Sequence, residues 1–211
     1  MSKGSETRQR IVAEAASLFN QHGFEGSSMA ELMASTGLEK GGIYRHFSSK
    51  EEIAADAFDY AWQAAWNIRM QGLDQVPNSV DRLKQFVANF VERRPPIAGG
   101  CPLLNTAIDA DDGNPVLRAK ARSALQGLRA SLAATIKSGI GAREMQSAVE
   151  AQKLATLLIA TLEGALMISR LEGDRHALLT AQKYLDHYLE TEVRWKVNRK
   201  KSSSRARHSA K

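Results

Sequence analysis

Apolar residues recur along this chain at helical spacing. Ile11, Ala15, Leu18 and Phe19 stand at i, i+4, i+7 and i+8 within residues 7–22, the stripe of an amphipathic helix. Gly23 follows where a left-handed cap is wanted. Ser28 and Glu31 are three apart, a capping box in which hydroxyl and carboxylate satisfy the first free amides reciprocally. They predict a short second helix with Ala30, Leu32 and Met33 as its apolar surface, running out near Thr36-Gly37. A third helix is predicted over 40–47. Ser49 with Glu52 repeats the capping box and opens a long fourth helix to about Met70. The turn residues Val76-Pro77-Asn78 separate it from a fifth helix over 79–93.

The second half keeps the helical period. Pro95-Pro96-Ile97-Ala98-Gly99-Gly100 is a break, and Asn114-Pro115 reads as an N-cap with proline at the first helical position, starting a helix to about residue 138. Two more helices are predicted over 147–172 and 174–194. The first carries Leu154, Leu157, Leu158, Ile159, Leu162, Leu166, Met167 and Ile168, apolar on nearly every side. A helix of that kind is covered all round, and in a domain this small a second subunit is a natural cover. Ala155, Gly164 and Ala165 would permit close helix approach, and Leu178, Leu185 and Leu189 on the last helix would join them. There is no internal repeat and no convincing strand, so the fold class is all-α.

Charge changes this picture only at the end. The net charge is +6, but eight Lys or Arg and no acid fall within 194–211, leaving 21 bases against 23 acids elsewhere. The basicity belongs to a tail, predicted disordered over 195–211 for want of apolar surface. The 211 residues suffice for one large or two small domains with a buried core. The lone Cys101 cannot form an internal disulfide, MSKGSETRQR lacks the apolar core of a signal peptide, and Glu163 and Arg170 interrupt the greasiest stretch. A cytoplasmic protein without a membrane partner is expected. No Gly-rich phosphate loop, Ser elbow or metal-spaced His/Cys set is present, and the five histidines are scattered. The chain therefore reads as neither enzyme nor metalloprotein, with no cofactor.

Two short helices joined by a glycine-containing turn form a candidate helix-turn-helix. Gly23-Phe24, Ser28, Gly37-Leu38 and Gly41-Gly42-Ile43-Tyr44-Arg45-His46-Phe47, followed by Lys50-Glu51, resemble the N-terminal signature of the tetracycline-repressor (TetR) family, in register over about residues 7–60. The resemblance implies an N-terminal three-helix helix-turn-helix domain over 4–64 with its motif at 28–47. It further implies a larger helical ligand-binding and dimerisation domain over 65–194, ahead of the tail. In such a motif the second helix enters the major groove while its neighbours grip the backbone. Tyr44, His46, Lys50 and Ser28 would then donate to phosphates, and Lys40 and Arg45 would read guanine edges. Gly41 and Gly42 each cost about 1 kcal/mol in a helix relative to alanine, a cost that close backbone approach to DNA would justify. Ile43 and Phe47 would pack inward. Two departures stand out: family members commonly carry serine where Glu39 stands and threonine where Gly42 stands.

The resemblance also implies a function: a homodimer on a palindromic double-stranded DNA operator, released by a small-molecule effector. Repression is favoured because occupancy of a promoter needs no further surface, although activators occur in the family. A rival reading is a non-specific nucleic-acid-binding protein driven by the tail. Phe58, Trp62, Trp66 and Met70, four apart, either line an effector pocket (Trp62, Trp66 and Met70 being the candidates) or pack as core. Cys101, just before Pro102, sits as though capping a helix, where a thiol can have a lowered pKa. Its Gly-Cys-Pro-Leu segment resembles a stretch in one branch of the family, some of whose members respond to electrophiles. The other reading of Cys101 is a small buried hydrophobe. The effector is accordingly expected to be apolar or electrophilic. Asp109, Asp111, Asp112 and Asn114 lack the calcium-loop glycine and terminal glutamate and read as a solvated turn.

Overall fold

The computed structural model describes residues 3–111 and 113–196, so Asp112 and nearly all of the basic tail lie outside the described residues. Within them the chain forms α1 (Lys3–His22), α2 (Met29–Thr36), α3 (Lys40–Tyr44), α4 (Lys50–Met70), α5 (Ser79–Glu92), α6 (Pro102–Asp109), α7 (Pro115–Gly141), α8 (Ala151–Glu172) and α9 (His176–Tyr188). A 3-10 turn at Leu73–Gln75 precedes α5, and a π-type turn at Leu189–Val193 follows α9. The all-α expectation holds among the described residues; β pairing is confined to one isolated bridge between Met145 and Arg194.

Local chemistry accounts for most boundaries. Gly23 ends α1 at φ +78, and Gly37 caps α2 at φ +64, both left-handed conformations that cost glycine nothing. The box at Ser28 is complete: the Glu31 amide donates to the Ser28 hydroxyl, and the Ser28 amide donates to the Glu31 carboxylate at 2.7 Å. The box expected at Ser49 is divided between two serines. Ser49 accepts from the Glu52 amide, whereas the Glu52 carboxylate reaches back to the amide and hydroxyl of Ser48. Asn114 caps α7 by accepting from Val116 and Leu117, with Pro115 first in the helix.

Three of the boundaries that differ from expectation have a local cause. Helix α3 has only five residues, because the Arg45 N–H turns back to the Ile43 carbonyl. Helix α8 begins at Ala151 rather than 147, after a turn in which the Val149 amide donates to Gln146. The last helix opens after Tyr188 into the π-type turn, whose end is held when the Arg194 amide donates to the Leu189 carbonyl.

Two cores result. The first gathers Ile11, Ala15, Leu32, Ile43, Phe47 and Ile53 from α1–α4. The second gathers Leu83, Phe86, Leu128, Ile136, Leu158, Leu162 and Leu185 from the later helices. Helix α4 serves both, giving Ile53, Ala57 and Ala61 to the first and Ala54 and Phe58 to the second. The boundary expected near residue 64 therefore falls inside an unbroken helix, which couples head and body.

Helix α8 corrects one expectation. With a mean hydropathy of 1.6 over its best window it is long and apolar enough to cross a membrane, Glu163 and Arg170 notwithstanding. Length and composition do not separate such a span from a core helix. Here Leu154, Ala155, Leu158, Leu162 and Ala165 are buried among the other helices, while Leu157, Met167, Ile168 and Leu171 are exposed. The chain alone thus covers one side of α8, not all of it.

Candidate nucleic-acid interface and regulatory cavity

The head presents a polar surface over a rigid apolar base. Ile43 is fully buried and Phe47 nearly so, as their inward assignment requires. On the opposite side Lys40, Gly41, Tyr44 and Arg45 are exposed, with the Lys40 ammonium 5.9 Å from the Tyr44 ring and the tyrosine 39 % accessible. A Cβ at Gly41 would meet nothing within 4 Å, and one at Gly42 would touch only the Leu38 side chain at 3.7 Å. Space inside the protein therefore does not demand these glycines. Glu39 precedes α3 in extended conformation and caps nothing with its side chain.

The remaining predicted contact residues are placed differently. The Ser28 hydroxyl is already spent on Glu31. His46 is half-buried and lies beside Gly4 at the start of α1. Lys50 is half-buried too: its ammonium donates to the Phe24 carbonyl and lies 4.2 Å from the Phe24 ring. It ties the α1–α2 corner to the start of α4. Of the eight predicted residues, Lys40, Gly41, Tyr44 and Arg45 thus form one open face, with Gly42 beside it.

In the body the structure assembles a site that the sequence reading missed. Arg69, near the end of α4, is only 4 % exposed and lies between the rings of Phe90 (4.4 Å) and Trp62 (5.6 Å). Its Nη2 donates to Cys101 Sγ at 3.1 Å, and the Cys101 thiol donates to Glu163 Oε1 at 3.0 Å. Arg69 Nη1 stands 3.5 Å from the same oxygen but makes no hydrogen bond, and Glu163 Oε2 has no partner either. Burial pushes the Glu163 carboxyl above its ordinary range, with the Arg69 charge and the Cys101 thiol drawing it partly back.

This arrangement overturns the reactive-thiol expectation. Cys101 does stand at the N-cap of α6, but its side chain makes no capping bond and is buried. Burial raises its pKa to about 11, against the opposing pull of Arg69, so the thiol is protonated at neutral pH. The electrophilic-effector reading loses its chemical basis, and Cys101 serves as a buried hydrogen-bonding link.

Beside this trio opens a cavity of about 440 Å³ between the ends of α4, α5 and α8 and the 95–100 loop. Arg69 and Cys101 form part of its wall, with apolar surface from Ile68, Phe90, Leu166 and Leu178. Trp62, Trp66 and Met70, expected in the pocket, do not line it. The two tryptophans meet edge to face at 6.1 Å and border a surface groove against α7, while Met70 packs on the body core.

The cavity wall is also the joint to the head. Asn20 of α1 donates to the carbonyls of Ala98 (2.7 Å) and Gly100 (3.3 Å), and Asn105 donates back to the Asn20 carbonyl at 2.9 Å. A Cβ on Gly99, at φ +105, would fall 2.4 Å from the Asn20 carbonyl oxygen. The glycine is what lets loop and helix approach so closely. Asp109, expected in a solvated turn, instead accepts from the Phe24 amide at 2.7 Å and ties α6 to the α1–α2 corner. Among the described residues no three His, Cys, Asp or Glu side chains gather as metal ligands.

Comparisons with known proteins match both halves of the chain. Residues 11–57 match the family model of bacterial regulatory proteins of the tetR family, and residues 79–185 match that of the tetracyclin repressor-like C-terminal domain. A TetR transcriptional regulator of Chloroflexus aurantiacus has a crystal structure that superposes with a TM-score of 0.89 at 44% identity, over 93% of this chain and all of that one. A helix-turn-helix transcriptional regulator of Bacillus subtilis, YxaF, is 25% identical over 85% of this chain and 93% of its own length. The negative transcriptional regulator of the biofilm operon icaADBC of Staphylococcus aureus is 27% identical over 40% of this chain and 45% of its own.

Proposed function

The chain belongs to the TetR family of DNA-binding transcriptional regulators, and on that premise we propose that it is a homodimeric, effector-controlled repressor of a palindromic operator. The observation that carries this reading is the open Lys40-Gly41-Tyr44-Arg45 face of α3 on a head bonded directly to the wall of a cavity. Lys40 and Arg45 are the base-reading candidates and Tyr44 a phosphate contact, with Gly41 and Gly42 giving the backbone close access. Ser28, His46 and Lys50 join as supports whose polar atoms partly serve the fold.

A second copy of the chain is the partner we assign to the uncovered side of α8. Leu157, Gly164, Ile168 and Leu171 recur there at helical spacing, Leu171 being 82 % exposed, and Leu179 and Tyr184 of α9 are exposed as well. Two heads held by such a dimer read two half-sites, which gives both affinity and palindromic specificity. Repression follows from occupancy of the promoter, and a regulator of the chromosome works in the cytoplasm.

The test is selection of bound fragments from the source genome at moderate salt. A short near-palindromic site is expected; recovery without any motif overturns the repressor reading in favour of tail-driven, sequence-blind binding. Gly41→Ala sharpens the result. It fills open space in the free protein, so the head gains up to about 1 kcal/mol of helix stability while operator affinity falls. Unchanged affinity would remove α3 from close contact with DNA.

A further inference from the structure

The lining of the cavity combines apolar surface with an unusual number of arginines. Arg69, Arg93, Arg94, Arg170 and Arg175 all reach its wall, against a single acid on the lining, Asp174. The body as a whole has no such excess, because the basic surplus of the sequence lies in its tail. Three of these arginines have commitments. Arg93 donates to the Gln71 side chain, Arg175 donates to the Val91 carbonyl at 2.7 Å, and Arg69 is held by Cys101 and Glu163. Each still has spare donors, since a guanidinium carries five. Arg69 is almost fully buried, and its Nη1, out of contact with solvent, has no hydrogen-bond partner. A buried donor left without a partner is costly, and a small shift of the Arg69 side chain toward a ligand oxygen would satisfy it. Ile68, Phe90, Val91, Leu166 and Leu178 offer apolar surface on the same wall.

We propose that the effector of this regulator is a small amphipathic organic anion, its carboxylate or phosphate head bound by Arg69 and Arg170 and its apolar body against Phe90, Leu166 and Leu178. The proposal rests on the regulator reading and names the chemistry of its ligand. A volume of about 440 Å³ suits a small organic molecule of this kind. Guanidinium groups match oxyanions by paired N–H donors, and a low-dielectric wall strengthens the match. Glu163 lies behind Arg69 and keeps the empty site from holding an unpaired buried charge.

The same geometry gives the signal a route. Gly100 abuts the Arg170 side chain so closely that a Cβ there would stand 3.0 Å from both Cδ and Nη1. An anion drawing Arg170 inward therefore acts on the 98–100 loop, whose carbonyls accept from Asn20 in the head. Binding that favours one position of this loop shifts the separation of the two heads by its differential affinity for the two states.

The experiment uses the full chain, with octanoate, 4-phenylbutyrate and octyl phosphate as probes and octanamide, 4-phenylbutyramide and octanol as their uncharged counterparts. Calorimetry and thermal shift read binding, and fluorescence anisotropy reads operator occupancy separately. At least one anion is expected to bind and raise the melting temperature while its uncharged counterpart does not. Arg170→Gln, at an exposed position, is expected to weaken that binding about tenfold to a hundredfold. Arg69→Met/Glu163→Leu, which removes both buried charges, should fold and lose it. The proposal is overturned if no anion binds, if uncharged analogues bind equally, or if both variants bind like the parent. Operator binding without anion binding sinks this proposal and leaves the regulator reading intact. Anion binding without operator binding does the reverse.

Discussion

Head and body put their polar groups in opposite places. The head buries Asn20, Ser27 and Thr36 but no charged side chain; Ser27 and Thr36 return their hydroxyls to carbonyls one turn back, at 2.7 Å each. Lys40 and Arg45 are exposed, and even the half-buried Lys50 gives its ammonium to a backbone carbonyl at the surface of the core. The body does the reverse: among the described residues the charged side chains counted as buried are Arg69 and Glu163, both there. A surface that reads DNA needs outward donors on a base that does not yield, and an apolar core supplies one at low cost. A cavity that recognises a polar ligand needs donors inside, so the protein carries their desolvation even when the cavity is empty.

The sharpest way to break this contrast is to break the buried pair. Glu163→Leu leaves the Arg69 guanidinium buried with no counter-charge and Cys101 as its hydrogen-bond partner, and a cost of about 3–5 kcal/mol is expected. Adding Arg69→Met should recover most of it, because two apolar groups of similar volume replace two desolvated ions. Urea unfolding of the parent, single and double variants measures this. Equal losses in single and double would mean that the pair contributes through packing and not through charge.

A smaller effect is expected where the two regions meet. Gly99→Ala forces a side chain to φ +105 and drives its Cβ against the Asn20 carbonyl. Strain of this kind costs about 1–3 kcal/mol, and here the loop can escape it by leaving α1. The expected result is a modest loss of stability together with loss of the response of operator affinity to effector. If the response survives, the Asn20 joint is not the route between the cavity and the head.

The same contrast explains what could be read in the sequence. The head is built from local rules: Ser28 with Glu31, Gly23 and Gly37 act within a few residues of one another, and the bounds of α2 follow from them. The motif of α3 could be recognised for the same reason, although its five residues were fewer than the pattern implied. The body site is non-local. Arg69 lies 32 residues from Cys101, and Cys101 lies 62 from Glu163, so no spacing announces the trio. Faint signals existed. Arg69 sits seven residues after Trp62 and three after Trp66 on the same aromatic stripe, and Glu163 is a lone acid within the apolar run of α8. A charge on an otherwise apolar face asks for a partner, and each answers the other. The reactive-thiol reading of Cys101 fails on the same ground, while the buried reading stands, since spacing alone does not show that burial outweighs the pull of a helix N-terminus and of Arg69 on the thiol.

The smallest effect expected is a difference in sign between the two regions on acidification. In the head, the Ser28 amide and hydroxyl hold the Glu31 carboxyl below its ordinary value of 4.5, and those of Ser48 do the same for Glu52. A depressed folded-state pKa contributes stability above the ordinary value and loses it as pH falls through the folded value. In the body, burial raises the pKa of Glu163, so its contribution is present at low pH and is lost as pH rises through the raised value. Lowering the pH from about 6 to about 3 should therefore weaken the first turns of α2 and α4 before it weakens the middle of α8. Amide hydrogen exchange, corrected for intrinsic rates and compared between residues 29–36 and 154–165, reads the difference directly. Glu31→Gln, which removes the titrating carboxyl, should abolish the pH dependence of the first group and leave the second unchanged. Parallel loss of protection in both would show that head and body unfold as one unit, with α4 binding their stabilities together more tightly than their opposite chemistries divide them.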